Sequence, residues 1–122
     1  MKAFINSPKQ DDEFYISERC FITEISNDEA DPDVSIARAR VEPGVTTIWH
    51  RLKDTAERYV IISGKGCVEV GDLPARELRS GDMVFIPPMC RQRITNSGPE
   101  DLIFLAICSP RFTESCYEAL DE

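Results

Sequence analysis

The stretch that decides the fold reads Gly44-Val-Thr-Thr-Ile-Trp-His50-Arg-Leu-Lys-Asp-Thr-Ala-Glu57-Arg-Tyr-Val-Ile-Ile-Ser-Gly64. It contains two segments rich in β-branched and aromatic residues, which favour strands, around a polar turn at residues 53–56. His50 is the only histidine of the chain and lies in the first segment, and Glu57 lies in the second. Two strands folded back on each other bring both side chains into one cavity. The sequence therefore predicts a functional site here.

The two-residue period of a strand assigns faces within this stretch. In residues 45–52, His50 shares a face with Leu52, and Trp49 lies on the opposite face, where packing on the outside of a sheet is its expected role. In the second strand, Glu57 and Tyr59 share one face. Both faces of that strand are largely apolar, so both need to be covered.

Outward from this stretch, short alternating or apolar segments are separated by Gly and Pro turns. Residues 102–108 are an unbroken apolar run, which is typical of a buried strand. Pro87 and Pro88 end the segment at residues 83–86, because proline does not fit in a central ladder. Only residues 113–120 look helical. The pattern predicts an all-β sandwich or barrel with a short C-terminal helical tail.

Composition excludes several classes of function. The 122 residues are expected to form a single domain, 1–122, with the 42% apolar and 30% charged content of an ordinary globular protein. A net charge of −8 disfavours nucleic acid and anionic membrane surfaces as partners. No apolar run has the length of a signal peptide or a membrane span, so we expect a cytoplasmic protein.

The five cysteines are scattered, and no two form a C-x-x-C pair. This spacing suggests neither a zinc knuckle nor a disulfide framework. We expect most of them to be reduced, small apolar side chains. Cys90 is a candidate thiolate ligand near Gln92. Its position directly after Pro87-Pro88-Met89 means that alternation does not assign its side chain to one face of the strand.

Two sets of residues resemble the sequence motifs of the cupin superfamily. The first motif, G-x5-H-x-H-x4-E-x6-G, is matched except at its second histidine by Gly44, His50, Leu52, Glu57 and Gly64. The second, G-x5-P-x-G-x2-H-x3-N, is matched in outline by Gly81, Pro87, Met89, Gln92 and Asn96, with Met89 replacing the glycine and Gln92 the histidine. The resemblance covers the motif core 44–96. It implies a jelly-roll (cupin) barrel of two antiparallel sheets with a cavity at one mouth.

The resemblance also implies a metal site that is altered in this chain. Metal-binding cupins hold Fe, Mn, Ni or Zn with histidines and a glutamate, donors that suit divalent ions. Here His50 and Glu57 remain, Leu52 cannot coordinate, and Gln92 offers a neutral carbonyl oxygen. The implied metal ligands are His50, Glu57 and Gln92. The alternative is a site that has lost its metal, in which His50 hydrogen-bonds Glu57 or Gln92 in a polar pocket.

These residues support two classes of function. The first is a small-molecule-binding cupin acting as an isomerase, lyase or dioxygenase-like enzyme on a small polar metabolite, with Glu57 or Tyr59 moving the proton. The alternative is a non-catalytic sensor in which His50 and Gln92 hydrogen-bond the ligand. For single residues the plainer roles are an internally satisfied histidine at His50 and a barrel-filling ring at Tyr59. A purely structural protein is disfavoured, because polar groups inside a barrel need partners.

The outer face of the sheet carries apolar side chains. Val60, Ile62 and one side of residues 102–108 form a surface that a lone barrel leaves partly exposed. Small cupins are commonly dimers through such a sheet. We therefore expect a homodimer.

Overall fold

The computed structural model describes residues 2–120, and it consists almost entirely of antiparallel strands in two sheets. The six strands of the larger sheet are, in spatial order, β1 (Phe14–Ile16), β2 (Cys20–Ser26), β3 (Ser35–Val41), β10 (Leu102–Ser109), β5 (Ala56–Ser63) and β8 (Met83–Ile86). The five strands of the smaller sheet are β11 (Tyr117–Ala119), β4 (His50–Leu52), β9 (Gln92–Asn96), β6 (Lys65–Val70) and β7 (Arg76–Arg79). The predicted all-β barrel of two antiparallel sheets is confirmed.

The core lies between the inner faces of the two sheets. β10 pairs with β3 on one side and β5 on the other, which explains its unbroken apolar sequence. Leu102 and Phe104 of β10 and Ile61 of β5 are buried opposite Ile94 of β9. Burial alternates along β5, where Glu57, Tyr59 and Ile61 are buried and their neighbours are more open. The predicted face of Glu57 and Tyr59 is therefore the inner face. In the part of the chain described, no helix has the length and hydrophobicity to cross a bilayer.

The strand predicted at residues 45–52 is shorter in the structure, where only β4 and an isolated bridge between Thr46 and Thr95 form. The Thr47 hydroxyl accepts a hydrogen bond from the Ile94 amide at 2.9 Å, in place of a ladder bond. This interruption buries Thr47 and breaks the regular alternation. The Trp49 ring nevertheless lies under the guanidinium groups of Arg91 and Arg93, 4.5 and 4.3 Å from its centroid.

The helical tail predicted for residues 113–120 is not formed. A single 3₁₀ turn, Glu114–Cys116, leads directly into β11, which pairs with β4. The physical reason is that β4 offers an open edge, and pairing there satisfies backbone groups that a short isolated helix would expose to water. Pairing also stacks the Tyr117 ring on His50, with 5.3 Å between the ring centroids and 23° between the ring planes.

Met89 occupies the position where the second motif carries glycine. Its φ is +68°, in the left-handed region that glycine adopts without strain. The Met89 amide donates a hydrogen bond to the Leu52 carbonyl at 2.7 Å, so the turn joins the two motifs. The chain has kept the backbone geometry of this motif position without its usual residue.

Gly64 is expected to be the glycine least tolerant of substitution. A β-carbon there would lie 2.6 Å from the backbone oxygen of Asp101, and the φ of +81° is left-handed. Gly44 has a similar φ of +79° but nothing within 4 Å of its β-carbon position. We expect Gly64→Ala to lower the free energy of unfolding by about 3 kcal/mol and Gly44→Ala by about 1 kcal/mol. Urea titrations of both variants measure the difference, and equal losses would contradict the close-approach argument.

Candidate acid–base site in the barrel cavity

A cavity of about 620 Å³ lies inside the barrel against the larger sheet. Its walls combine aromatic rings with carboxyl groups, of which that of Glu57 is buried. The rings are those of Phe14, Tyr59, Phe104, Phe112 and Tyr117. The carboxyl groups are those of Glu18, Glu24, Glu57 and Glu114. A second, shallower cleft of about 360 Å³ runs beside the N-terminal segment, and none of the motif residues lines it.

Glu57 reaches the cavity from β5, where it pairs in register with Cys108 of β10 and Ile86 of β8. The Cys108 thiol donates to its Oε2 at 3.8 Å, while its Oε1 is buried with no hydrogen-bond partner among the described residues. Burial is the main cause that raises the pKa of Glu57 to about 7, and the nearby Glu18 adds to the rise. The neighbouring His50 acts in the opposite direction. The Gln92 side chain also lowers the pKa, and the net result is a buried carboxyl group whose pKa lies near neutral pH.

Tyr59 and Gln92 form a buried pair across the barrel. The Tyr59 hydroxyl donates to Gln92 Oε1 at 2.6 Å, which leaves Gln92 Nε2 buried without a partner in residues 2–120. Burial raises the pKa of Tyr59 well above its usual value. Tyr59 is thus a neutral phenol in the cavity wall, and its proton is directed at Gln92.

His50 lies on β4 opposite Gln92, as the two motifs imply. Its Nδ1 is 2.8 Å from the Ile48 carbonyl, which only accepts, so Nδ1 carries the proton. The other nitrogen, Nε2, lies 3.7 Å from Glu18 Oε1. Burial lowers the pKa of His50, so the neutral ring is favoured. The ring itself lies behind the cavity wall, and it affects the cavity through Glu18 and Tyr117, which do line it.

Glu18 is a member of the site that the sequence did not predict. It lies in the turn between β1 and β2, with its side chain 14% exposed at the cavity surface. Burial raises its pKa to about 7, and the Cys20 thiol, 3.9 Å from Oε2, counters this effect. The sequence shows an acidic residue between two apolar segments, 14–16 and 20–22. The alternation of inward and outward side chains does not continue through the turn between them, so it does not predict the direction of the Glu18 side chain. Only the fold brings Glu18 to His50.

The predicted metal ligands can be tested against this geometry. His50, Glu57 and Gln92 are all buried inside the barrel, as their predicted faces require. The Gln92 carbonyl oxygen, however, accepts the Tyr59 proton, and its free atom is an N–H₂ group that cannot coordinate a metal. Across residues 2–120, no three His, Cys, Asp or Glu side chains are grouped so that they could hold an ion. The donor set does not fit a transition metal with three protein ligands, and the site of His50, Glu57 and Gln92 stays a prediction.

Comparison with known proteins agrees with this architecture. Residues 37–108 match the family model described as a cupin domain. Among curated relatives, a glucose-6-phosphate isomerase of Pyrococcus abyssi is 30% identical over 122 residues, a match that covers 88% of this chain and 65% of the relative. The chain thus spans less than two thirds of that relative.

Two solved structures share the fold at low sequence identity. KdgF of Halomonas superposes with a TM-score of 0.79 at 16% identity, covering 93% of this chain and 99% of that one. Pac13 of Streptomyces, described as a nucleoside dehydratase, superposes with a TM-score of 0.76 at 17% identity, covering 93% and 89%. At these identities the likeness extends to the fold alone.

Proposed function

The chain belongs to the cupin domain family, and we propose that its cavity binds a small polar molecule and acts on it by acid–base proton transfer, as an isomerase or a lyase. The observation that carries the proposal is Glu57. Glu57 lines the cavity and is buried, and burial raises its pKa to about 7. A catalytic acid or base works best when its pKa lies near the working pH.

We propose the following roles for the chain's own residues. The Glu57 carboxyl group takes a proton from a substrate carbon or returns one to it. Glu18, the second carboxyl in the cavity, exchanges a proton with a substrate hydroxyl, and the His50 ring beside it holds it in place. In an isomerisation the proton returns to the neighbouring carbon, and in an elimination the hydroxyl leaves with a proton as water. Tyr59 keeps Gln92 oriented and forms part of the floor.

The relatives support this choice of reaction. Glucose-6-phosphate isomerisation and nucleoside dehydration, for which these two proteins are named, both involve proton transfer at carbon. Isomerase and lyase chemistry therefore agrees with both the cavity and its relatives. The dioxygenase-like reaction would need a metal or another redox group, and no step is routed through one because the donor set does not fit a metal.

A non-catalytic sensor is the second candidate. Two of the three motif histidines are replaced, by Leu52 and Gln92, and Gln92 is hydrogen-bonded to Tyr59 rather than open to a ligand. In that case the carboxyl groups of Glu18 and Glu57, which line the cavity, bind the ligand without reaction.

One experiment separates the two candidates. Protein purified without chelator is incubated in D₂O with a panel of aldoses, ketoses, their phosphates and nucleosides, including glucose 6-phosphate and uridine. Proton NMR then follows exchange at carbon, isomerisation and elimination. We expect turnover of at least one panel member that persists after dialysis against EDTA. Binding without any turnover would support the sensor, and loss of turnover with EDTA, restored by a transition metal, would contradict the proposed mechanism.

We also propose that the chain forms a homodimer through the outer face of the larger sheet. Val60 and Leu105 are paired neighbours on that face, and Ile62, Met83 and Phe85 nearby are between 47% and 56% exposed. Leu105→Arg is expected to convert a dimer into a monomer in sedimentation at micromolar concentration. Leu73→Arg, in the turn after β6, is the matched control and should stay dimeric. A monomeric wild type would contradict the proposal.

The state of the cysteines bears on the compartment. All five cysteines are free thiols in the structure. Because disulfides are rare in reducing compartments, we propose a cytoplasmic location.

A further inference from the structure

The charges that line the cavity are mostly acidic. Four lining side chains are glutamates, and the only lining cation among the described residues is Arg111. Arg111 lies in the loop after β10, where its Nη1 donates to Asn27 Oδ1 at 2.9 Å and its Nη2 lies 3.9 Å from Glu29. The single positive charge of the cavity is therefore already engaged by a neighbouring amide and a carboxylate.

The two deep carboxyls have neutral partners. Glu57 accepts from the Cys108 thiol, and Glu18 accepts from the Cys20 thiol and lies beside the neutral His50 ring. Burial raises the pKa values of both thiols, so these two partners stay uncharged at neutral pH. An anionic group placed against Glu18 and Glu57 would thus lose its hydration and meet like charge in a site of low polarity.

The remaining surface of the cavity is suited to a flat, uncharged molecule. Aromatic rings of Phe14, Phe104, Phe112 and Tyr117 line it together with Tyr59. Flat rings bind the apolar face of a sugar or a heterocycle, and carboxylates accept hydrogen bonds from hydroxyl groups. The volume of about 620 Å³ lies within the range of sites that take metabolite-sized ligands.

From these observations we infer that the cavity selects a neutral, hydroxylated molecule with a flat apolar face and rejects the phosphorylated or carboxylated form of the same molecule. This inference rests on the proposed function of the same site. It separates the chain from the glucose-6-phosphate isomerases among its relatives, whose names specify a phosphorylated substrate. The distinguishing feature is the pair Glu18 and Glu57, which Arg111 alone offsets among the lining residues that the structure describes.

Matched pairs of probes test the inference by ligand-observed NMR and calorimetry on the full chain. The pairs are uridine with uridine 5′-monophosphate and glucose with glucose 6-phosphate, each measured at pH 8. We expect the neutral member of each pair to bind about tenfold or more tightly than the phosphorylated member. The double variant Glu18→Gln/Glu57→Gln should bind the phosphorylated probes more tightly at pH 8, so the difference in affinity between neutral and phosphorylated probes should become smaller.

Two results would overturn the inference. The first is binding of the phosphorylated probes at pH 8 that is as tight as that of the neutral probes, or tighter. If Arg111→Gln then abolishes binding of the phosphorylated probes, the anion binds at Arg111. The second is failure of every neutral probe to bind at millimolar concentration. The outcome is independent of catalysis. Neutral probes that bind selectively without turnover support the inference and contradict the proposed reaction, whereas turnover of phosphorylated probes alone supports the reaction and overturns the inference.

Discussion

Glu57→Gln is expected to lower the turnover number by about 10²–10⁴-fold, the usual contribution of a positioned acid or base. The amide has nearly the shape of the carboxyl group, so it leaves the packing against Cys108 and Ile86 intact, but it cannot take up a proton. The measurement is the turnover number for a substrate found in the NMR panel. The Michaelis constant should change much less, since the lost interaction belongs to the reacting proton.

Glu69→Gln is the matched control for this substitution. Glu69 lies on β6 outside the cavity and pairs with Arg93, with Nε to Oε1 at 2.8 Å. The same chemical change there should leave turnover within about twofold, since a partly exposed ion pair contributes little even to stability. The wild-type pH profile should show an apparent pKa near 7 that belongs to the coupled Glu18 and Glu57 pair. A Glu57→Gln enzyme with wild-type turnover would remove Glu57 from the mechanism.

Stability should fall as the pH rises from 5 to 8. Glu18 and Glu57 each have a pKa raised from 4.5 to about 7 in the folded state. Between these values the folded chain binds more protons than the unfolded chain, so stability is fully present below pH 4.5 and is lost as the pH rises through 7. A shift of this size corresponds to about 3 kcal/mol for one buried carboxyl, and the two are coupled rather than simply additive.

His50 acts in the opposite direction at acid pH. Its pKa is lowered in the folded state, so its contribution is lost as the pH falls below 6.5. The carboxyl effect is therefore clearest above pH 6.5. Urea unfolding at several pH values measures the slope, and Glu18→Gln/Glu57→Gln should flatten it while Glu69→Gln leaves it unchanged. A double variant with the wild-type slope would show that other groups cause the pH dependence.

The inward face of β5 followed from the sequence for a simple reason. Side chains alternate along β5, and the alternation of Glu57, Tyr59 and Ile61 with more open neighbours is regular enough to predict which side is buried. Alternation failed at Thr47, where a side-chain hydrogen bond to the Ile94 amide interrupts the strand. The sequence pattern also misled at the C-terminus, where a segment with a helical pattern pairs as a strand with the open edge of β4.

The sequence by itself determined the all-β barrel, the two motif turns and the inward placement of His50, Glu57 and Gln92. These features depend on local periodicity and on the glycine and proline residues at turns. Only the tertiary structure decided what those side chains meet. Glu18 reaches His50 from a separate hairpin, and Tyr117 stacks on His50 from the last strand. The Tyr59 hydroxyl meets the Gln92 amide across the barrel. These contacts join residues distant in the chain, and local pattern carries no information about which side chain lies opposite another across a barrel.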